Sequence, residues 1–222
     1  MKNLTLIIPA KHESESLPLF INQLKNYDCK ILVVTSKDDL DTSRSINENE
    51  NTKIIFQEND GYGNALIEGI NKSETEYSCI INADGSMDPK YLPDMLSKCK
   101  NNDLIFASRY ERPEGGSDDD TMVTYIGNKI FTLMGNLLFD LKISDILYTY
   151  ILGKTNSFKK LNLKRNDFRL CVELPIKAKK MKLNYICLPS YERARIAGTK
   201  KVNAIKDGFL ILIEILSYII KK

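Results

Sequence analysis

The sequence predicts an α/β fold, with a largely parallel central sheet covered by helices on both faces. Three observations carry that expectation. Strand-length apolar runs alternate with amphipathic, helix-length pieces through residues 4–109. Several runs, such as "LTLIIPA", "CKILVVT" and "YSCIIN", are apolar nearly throughout, as strands buried on both faces are. A chain of 222 residues, 43% hydrophobic and 27% charged, can bury one sizeable core and reads as one domain.

Each element follows from local pattern. "LTLIIPA" (4–10) is the first strand. Leu17, Phe20, Ile21 and Leu24 then recur at helical spacing, with Ser14 or Ser16 as the cap and Pro18 in the first turn. "CKILVVT" (29–35) and "TKIIF" (52–56) are strand-like, and "GNALIEGINK" (63–72) fits a helix. "YSCIIN" (77–82) is the next strand. "DPKYLPDMLSKCK" (88–100) reads as a helix capped by Asp88 with Pro89 at its first position. "DLIFASR" (103–109) closes the series. In such folds ligands bind beyond the carboxyl ends of the strands.

After residue 110 the texture changes. "ERPEGGSDDDT" (111–121) is a polar loop without apolar periodicity. Val123, Ile126, Ile130, Phe131, Met134, Leu137, Leu138 and Leu141 form a helical stripe. "DFRLCVELPIKAKKM" (167–181) is another helix despite Pro175, and "KLNYICLPSYERAR" (182–195) gives one or two strands broken near Pro189. The tail "AIKDGFLILIEILSYIIKK" is a helix with a wide apolar face cut by Glu214, too short and interrupted to span a bilayer. It either lies in a membrane interface or packs on the domain.

Composition narrows the function classes. From Lys154 onward, 17 Lys or Arg face 5 Asp or Glu, a balance of +12; the preceding residues hold 15 against 24, or −9. The basic last third suits an anionic surface or a phosphate, or is a solvated face. No nucleic-acid-binding module accompanies it, so no nucleic acid is expected. Five cysteines without a C-x-x-C pair read as reduced thiols of a cytoplasmic protein, and the opening apolar run is too short for a secretory leader. His12 is the only histidine, which argues against Ser-His-Asp and His-metal chemistry.

Three clusters could carry chemistry. In "CIINADGSMDP" (79–89) an apolar strand ends in oxygen-bearing side chains. Helix capping explains Asp88 and part of Ser86 but not Asp84, whereas a hard divalent cation, Mg²⁺ or Mn²⁺, would use Asp84 and Ser86. "NDGYGNALIEGI" places Gly61 and Gly63 before a helix, as a tight turn or an anion approach requires. "ERARIAGTKK" gathers Arg193, Arg195, Lys200 and Lys201 around Gly198, suited to phosphates or simply solvated.

In this order, "LIIPAKHESESLP", "GYGNALIEGI", "NADGSMDPKYLPDML", "ASRYERPEGGSDDD", "ISDILYTY", "VELPIKA" and "RIAGTKK" resemble the motifs of family 2 glycosyltransferases. The similarity is greatest to the dolichyl-phosphate mannosyltransferase and polyprenyl-phosphate sugar transferase branch, over residues 4 to about 215. The resemblance implies a GT-A, Rossmann-like nucleotide-diphospho-sugar transferase fold in a single domain. Residues 1–110 would bind the nucleotide sugar, 111–201 would form the acceptor half, and 202–222 an amphipathic C-terminal helix. It implies an inverting, metal-dependent hexosyltransferase using GDP- or UDP-hexose with Mg²⁺ or Mn²⁺. The acceptor would be a polyprenyl phosphate or a lipid-linked glycan, reached from the cytoplasm or the cytoplasmic membrane face.

Carried over by position, Pro9, Ala10, Glu13, Thr35, Asp38, Gly61, Gly63, Asn82, Ala83 and Asp84 would line the nucleotide-sugar site. Asp84 would bind the metal, with Ser86 or a water completing its shell. Arg109, Ser117, Glu173, Arg195 and Lys201 would face acceptor or donor phosphates. Asp84, Arg109 and Asp145 would be catalytic, with Asp145 the base for a hydroxyl acceptor. The chain departs from the pattern where Asn82 replaces the first acid of Asp-x-Asp, where Thr35 and Ser36 follow the second strand, and where Tyr125 stands near an expected arginine. Two alternatives follow: a nucleotide-sugar-binding scaffold, suggested by Asn82, and a sugar-phosphate nucleotidyltransferase, disfavoured because "PAKHESES" contains no glycine.

Overall fold

The computed structural model describes residues 1–220. Lys221 and Lys222, part of the expected tail helix, lie outside the described residues. Alternation of side chains along each strand decides which core it serves. In β1 (Leu4–Ala10), Leu4, Leu6, Ile8 and Ala10 join Leu17, Phe20 and Leu24 of α1 (Ser16–Leu24) and Met95 of α4 (Leu92–Lys98). Ile7 instead joins Ala65, Leu66 and Ile70 of α3 (Tyr62–Lys72). The same division separates Val33 from Val34 in β2 (Lys30–Thr35), Cys79 from Ile80 in β4 (Tyr77–Ile80), and Ile105 from Phe106 in β5 (Leu104–Ser108). One sheet thus carries two cores.

The sheet has seven strands in the order β3-β2-β1-β4-β7-β5-β8, with β3 at Thr52–Phe56, β7 at Ile151–Lys154 and β8 at Tyr185–Pro189. All neighbours pair in parallel except β7, which is antiparallel to both β4 and β5. The reversal has a functional consequence. The carboxyl ends of the six parallel strands and the amino end of β7 fall on one edge, which collects the segments after Ala10, Thr35, Ile80, Ser108 and Pro189 with the one before Ile151.

Most expected elements are present with small shifts. The serines do not cap α1: the Ser16 hydroxyl donates to Glu13 instead. Asp88 caps a 3₁₀ turn at Pro89–Tyr91 that leads into α4, accepting from the Lys90 N–H at 2.9 Å. Among the short elements without an expectation are α2 (Leu40–Arg44), β7 and α6 (Thr155–Lys160). The 111–121 loop contains β6 (Gly116–Ser117), paired in parallel with β9 (Tyr191–Glu192). Two segments distant in sequence are thereby tied together beside the functional edge.

The largest difference concerns α5 (Met122–Phe139), which starts with a Thr121–Thr124 capping box. Its buried residues are Asn128, Thr132 and Gly135, while Val123, Ile126, Ile130, Leu137 and Leu138 of the expected stripe are exposed. Phe131 and Met134 do pack inward. They meet Val172 and Ile176 of α7 (Leu170–Lys180) and Ile211 and Ile215 of α8 (Ala204–Ile220). The tail helix therefore packs on the domain, pinned by the buried Glu214 carboxylate 2.7 Å from Arg165 Nε. Its other face leaves Ile205, Phe209, Ile213, Leu216 and Ile220 exposed. Among the described residues no helix is long and apolar enough to cross a membrane.

Candidate active site

Strand β4 runs into Ile81, Asn82, Ala83 and Asp84, and Asp84 is buried at the carboxyl edge. Its two carboxylate oxygens have different tasks. Oδ1 accepts from the Ser86 N–H at 3.0 Å and the Ser86 hydroxyl at 2.7 Å, a turn that Gly85 permits with φ +73°. Oδ2 faces Arg195, whose Nη1 lies 3.4 Å away. The segment bearing Arg195 is fixed by its backbone: the Ile196 N–H donates to Asp84 O at 2.8 Å and the Arg193 N–H to Ser86 O at 2.8 Å.

On one flank lies the segment after β1. Glu13 is buried, accepts from the Ser16 hydroxyl, and pairs with Lys201 Nζ at 3.3 Å. A cleft of about 300 Å³ opens beside it, lined by His12, Glu13, Asp39, Asp41, Thr199 and Lys201 among others. Asp39 caps α2 and also accepts from the His12 N–H at 2.6 Å. Thr35, at the end of β2, is fully buried with a hydroxyl that lacks a partner.

On the other flank a buried ionic knot joins three segments. Arg109 donates to Asp145 through Nε at 2.8 Å and Nη2 at 3.0 Å, and to Glu192 through Nη1 at 3.2 Å. Asn128 of α5 donates to Asp145 as well. Burial opposes the charge on Arg109, but the adjacent Asp145 outweighs it and holds the proton well above the usual guanidinium range. Burial raises the Glu192 carboxyl, with Arg109 opposing. Ser117 donates to Glu192 and accepts from the Asp119 and Asp120 N–H groups.

The sequence profile of glycosyl transferase family 2 matches residues 5–161. The chain belongs to that family. The chain is 30% identical over 114 residues to an uncharacterized glycosyltransferase of Mycobacterium tuberculosis (strain H37Rv), a match covering 50% of each chain. It thus spans about half the length of the mycobacterial relative. It is 28% identical over 174 residues, 71% of this chain and 68% of the relative, to the undecaprenyl-phosphate mannosyltransferase of Micrococcus luteus. Among solved structures, glucosyl-3-phosphoglycerate synthase from Mycobacterium tuberculosis in complex with Mn²⁺, UDP and phosphoglyceric acid superimposes with TM-score 0.70, at 14% identity over 97% of this chain and 78% of that one. Mannosyl-3-phosphoglycerate synthase from Rubrobacter xylanophilus gives TM-score 0.68, at 13% identity over 98% of this chain and 72% of that one. The fold is GT-A.

Seen as a family 2 glycosyltransferase, the chain brings some expected residues together and leaves others apart. Pro9, Ala10 and Thr35 share an edge because Pro9 pairs with Val34 and Ala10 with Thr35. Asn82 accepts from the Tyr62 hydroxyl at 3.2 Å, and that hydroxyl lies 2.6 Å from the Thr149 hydroxyl. Asp38 is exposed, and a hydrogen bond from Ser36 holds its carboxyl below the usual range. At Gly61 and Gly63 the structure shows a close approach of backbone to backbone. A Cβ on Gly61 would strike Asn166 O and one on Gly63 would strike Arg165 O, while Asn166 O accepts from the Asn64 N–H at 3.1 Å. Chain 165–167 therefore covers the first turn of α3.

Glu173 has its oxygens occupied within its own neighbourhood. It is buried in α7, where it accepts from the Lys164 and Arg165 N–H groups at 2.9 and 2.7 Å and pairs with Lys177 at 2.7 Å. Its contacts form the turn that overlies Gly61 and Gly63. Ser86 supports Asp84 through its hydroxyl proton. Sequence reasoning missed Glu192, Asn128, Asp119 and Asp39. Only Asp39, an acid just before a short helix, left a local signal.

Among the described residues no three His, Cys, Asp or Glu side chains converge as a metal cage. That donor set still fits Mg²⁺ or Mn²⁺. Such ions commonly take one or two protein carboxylates and complete their shell with substrate phosphates and water. Asp84 Oδ2 is a buried carboxylate oxygen already facing a positive charge.

Proposed function

We propose that this family 2 chain is an inverting hexosyltransferase. It takes a hexose from GDP- or UDP-hexose and delivers it to a phosphate-bearing acceptor carried on a polyprenyl lipid or a lipid-linked glycan. The single observation that carries the reading is the carboxyl edge itself. There one buried carboxylate oxygen, Asp84 Oδ2, faces Arg195, and the segment bearing Arg195 carries Lys200 to Asp119 and Lys201 to Glu13, where Glu13 and Lys201 border a cleft with Asp39.

The acidic cleft suits the N–H and hydroxyl donors of a base and ribose, and the cationic segment suits the diphosphate. Asp84 would hold Mg²⁺ or Mn²⁺, with Ser86 orienting its carboxylate; bound there, the ion would neutralise charge on the departing diphosphate. Arg195 and Lys201 would share that task from the other side. A phosphate acceptor is already an anionic nucleophile and requires no strong base. This suits Asp145, whose oxygens are taken by Arg109 and Asn128. In this reading Asp145 holds Arg109 in place, and the knot with Glu192 and Ser117 shapes the acceptor side.

The lipid acceptor draws support from the relative named undecaprenyl-phosphate mannosyltransferase and from two exposed apolar stripes. One comprises Met122, Ile126, Ile130, Leu133 and Leu137 of α5; the other comprises Ile205, Phe209, Ile213, Leu216 and Ile220 of α8. Each starts at the end of a loop beside the site, at the 111–121 and 193–203 segments. The protein would rest these stripes in an anionic membrane interface.

A screen of nucleotide sugars, read as thermal stabilisation in Mn²⁺, tests the donor class. Asp84→Ala should abolish the part of that stabilisation that EDTA removes. Equal stabilisation of wild type and variant, with or without EDTA, would sink the metal role. The scaffold reading rests on Asn82 replacing an acid; donor hydrolysis that rises with Mn²⁺ would exclude it.

A further inference from the structure

Arg195, Lys200 and Lys201 already have carboxylate partners. Arg195 reaches Asp84 through Nη1 at 3.4 Å and Asp119 through Nη2 at 2.9 Å and Nε at 3.3 Å. Lys200 lies 3.3 Å from Asp119 Oδ2, and Lys201 3.3 Å from Glu13 Oε1. Ile196 packs where a Cβ on Gly85 would stand, so the segment is seated on the metal turn itself. With Oδ1 held by Ser86, Oδ2 is the oxygen of Asp84 left for a cation, and Arg195 occupies its approach.

We propose that Arg195, positioned by Asp119, is the built-in counterion of Asp84 in the ligand-free protein, and that a divalent cation must displace it. The inference rests on the functional reading above and deepens it. A guanidinium and a dication at one carboxylate oxygen repel each other, so the metal alone binds against Arg195. A nucleoside diphosphate changes the balance, because its oxygens give the displaced Arg195 a new anionic partner while also ligating the metal. Metal and nucleotide therefore favour each other, and by linkage each raises the other's affinity by the same factor. Asp119 gives the arm its resting place at the mouth of the site and shares the load of Arg195 and Lys200.

The test is Mn²⁺ binding followed by electron paramagnetic resonance, with and without UDP or GDP, in wild type and Arg195→Gln. In the variant, Mn²⁺ alone should bind about two- to five-fold more tightly, the size of a part-exposed ion pair. Nucleotide binding in Mn²⁺ should weaken. These opposite signs distinguish displacement from mere support, since a purely structural loss weakens both. Unchanged or weaker binding of Mn²⁺ alone would overturn the proposal. A second measurement needs no variant: saturating Mn²⁺ alone should speed tryptic cleavage at Arg195 and Lys200, and adding UDP or GDP should slow it. Cleavage indifferent to Mn²⁺ would also overturn it. If wild type shows no Mn²⁺-dependent binding of UDP or GDP, the functional reading itself falls, and this inference with it.

Discussion

Asp145 carries a larger structural burden than a free catalytic base would. Its carboxylate is fully buried and holds Arg109 by two side-chain hydrogen bonds and a backbone N–H at 3.1 Å. Removing one partner from a buried pair leaves an uncompensated charge. Asp145→Ala should therefore destabilise the protein by about 3 kcal/mol in urea denaturation, near the low end of that class because Glu192 still pairs with Arg109. If the variant melted like wild type yet lost activity, Asp145 would be a base after all. Glu192 gives the same lesson from the other side: a buried acid, raised by burial, keeps its place through Arg109 and Ser117.

At the scale of elements, two contacts decide how the edge is assembled. The first is backbone against backbone, where Gly63 meets chain 165–167 and a Cβ would lie 2.7 Å from Asp167 O. Gly63→Ala should lower stability by about 1–3 kcal/mol, as overpacking does, because neither main chain can yield cheaply. A variant of unchanged melting temperature that bound nucleotide poorly would return the glycine to the phosphate site. The second contact is Asp103, just before β5. It takes a hydrogen bond from the Asn184 N–H at 3.0 Å, beside β8, and pairs with Lys154 of β7 at 3.1 Å. Burial opposes ionisation, but those partners outweigh it and hold the carboxyl below the usual range. A depressed carboxylate stabilises the fold above its unfolded pKa, about 3.9, and loses that contribution as pH falls through the folded value. The melting-temperature gap between wild type and Asp103→Asn should thus be open at pH 6 and close in the acid range below about pH 4. A gap independent of pH would show that charge is not the cause.

At the scale of the whole molecule, the question is what covers α5 and α8. The α8 helix is half core, through Ile211, Glu214 and Ile215, so deleting it would expose its seat on the domain as well as remove its outer stripe. Point changes on the outer face separate the two effects. Phe209→Glu and Ile130→Glu should each leave the melting temperature near wild type while cutting partition onto anionic vesicles about tenfold or more, the loss of one buried apolar side chain plus an added charge. Vesicle pelleting unaffected by both changes would remove the membrane reading. Sedimentation of the wild type as a dimer that these variants break would replace it with a second copy.

Much of the fold was legible because it is written locally. The apolar runs of β1 to β5, the spacing of Leu17, Phe20 and Leu24, and the Asp88–Pro89 start were all visible in short windows. So was Asp84, an acid that no cap explains at the end of a buried strand. The stripe on α5 was visible as a period but not as a direction, because periodicity tells which residues share a face and not what that face meets. β7 has four residues and gains its place only by pairing between β4 and β5. By itself, then, the sequence determined the alternation of strands and helices, the family motifs and the lone acid at the fourth strand's tip. The tertiary structure decided the rest: which way β7 runs, that Arg109 is bound to Asp145 and Glu192, and that Arg195 rests on Asp84. Those facts join residues 36 to 111 positions apart along the chain, and only the packed sheet brings such charges within reach of one another.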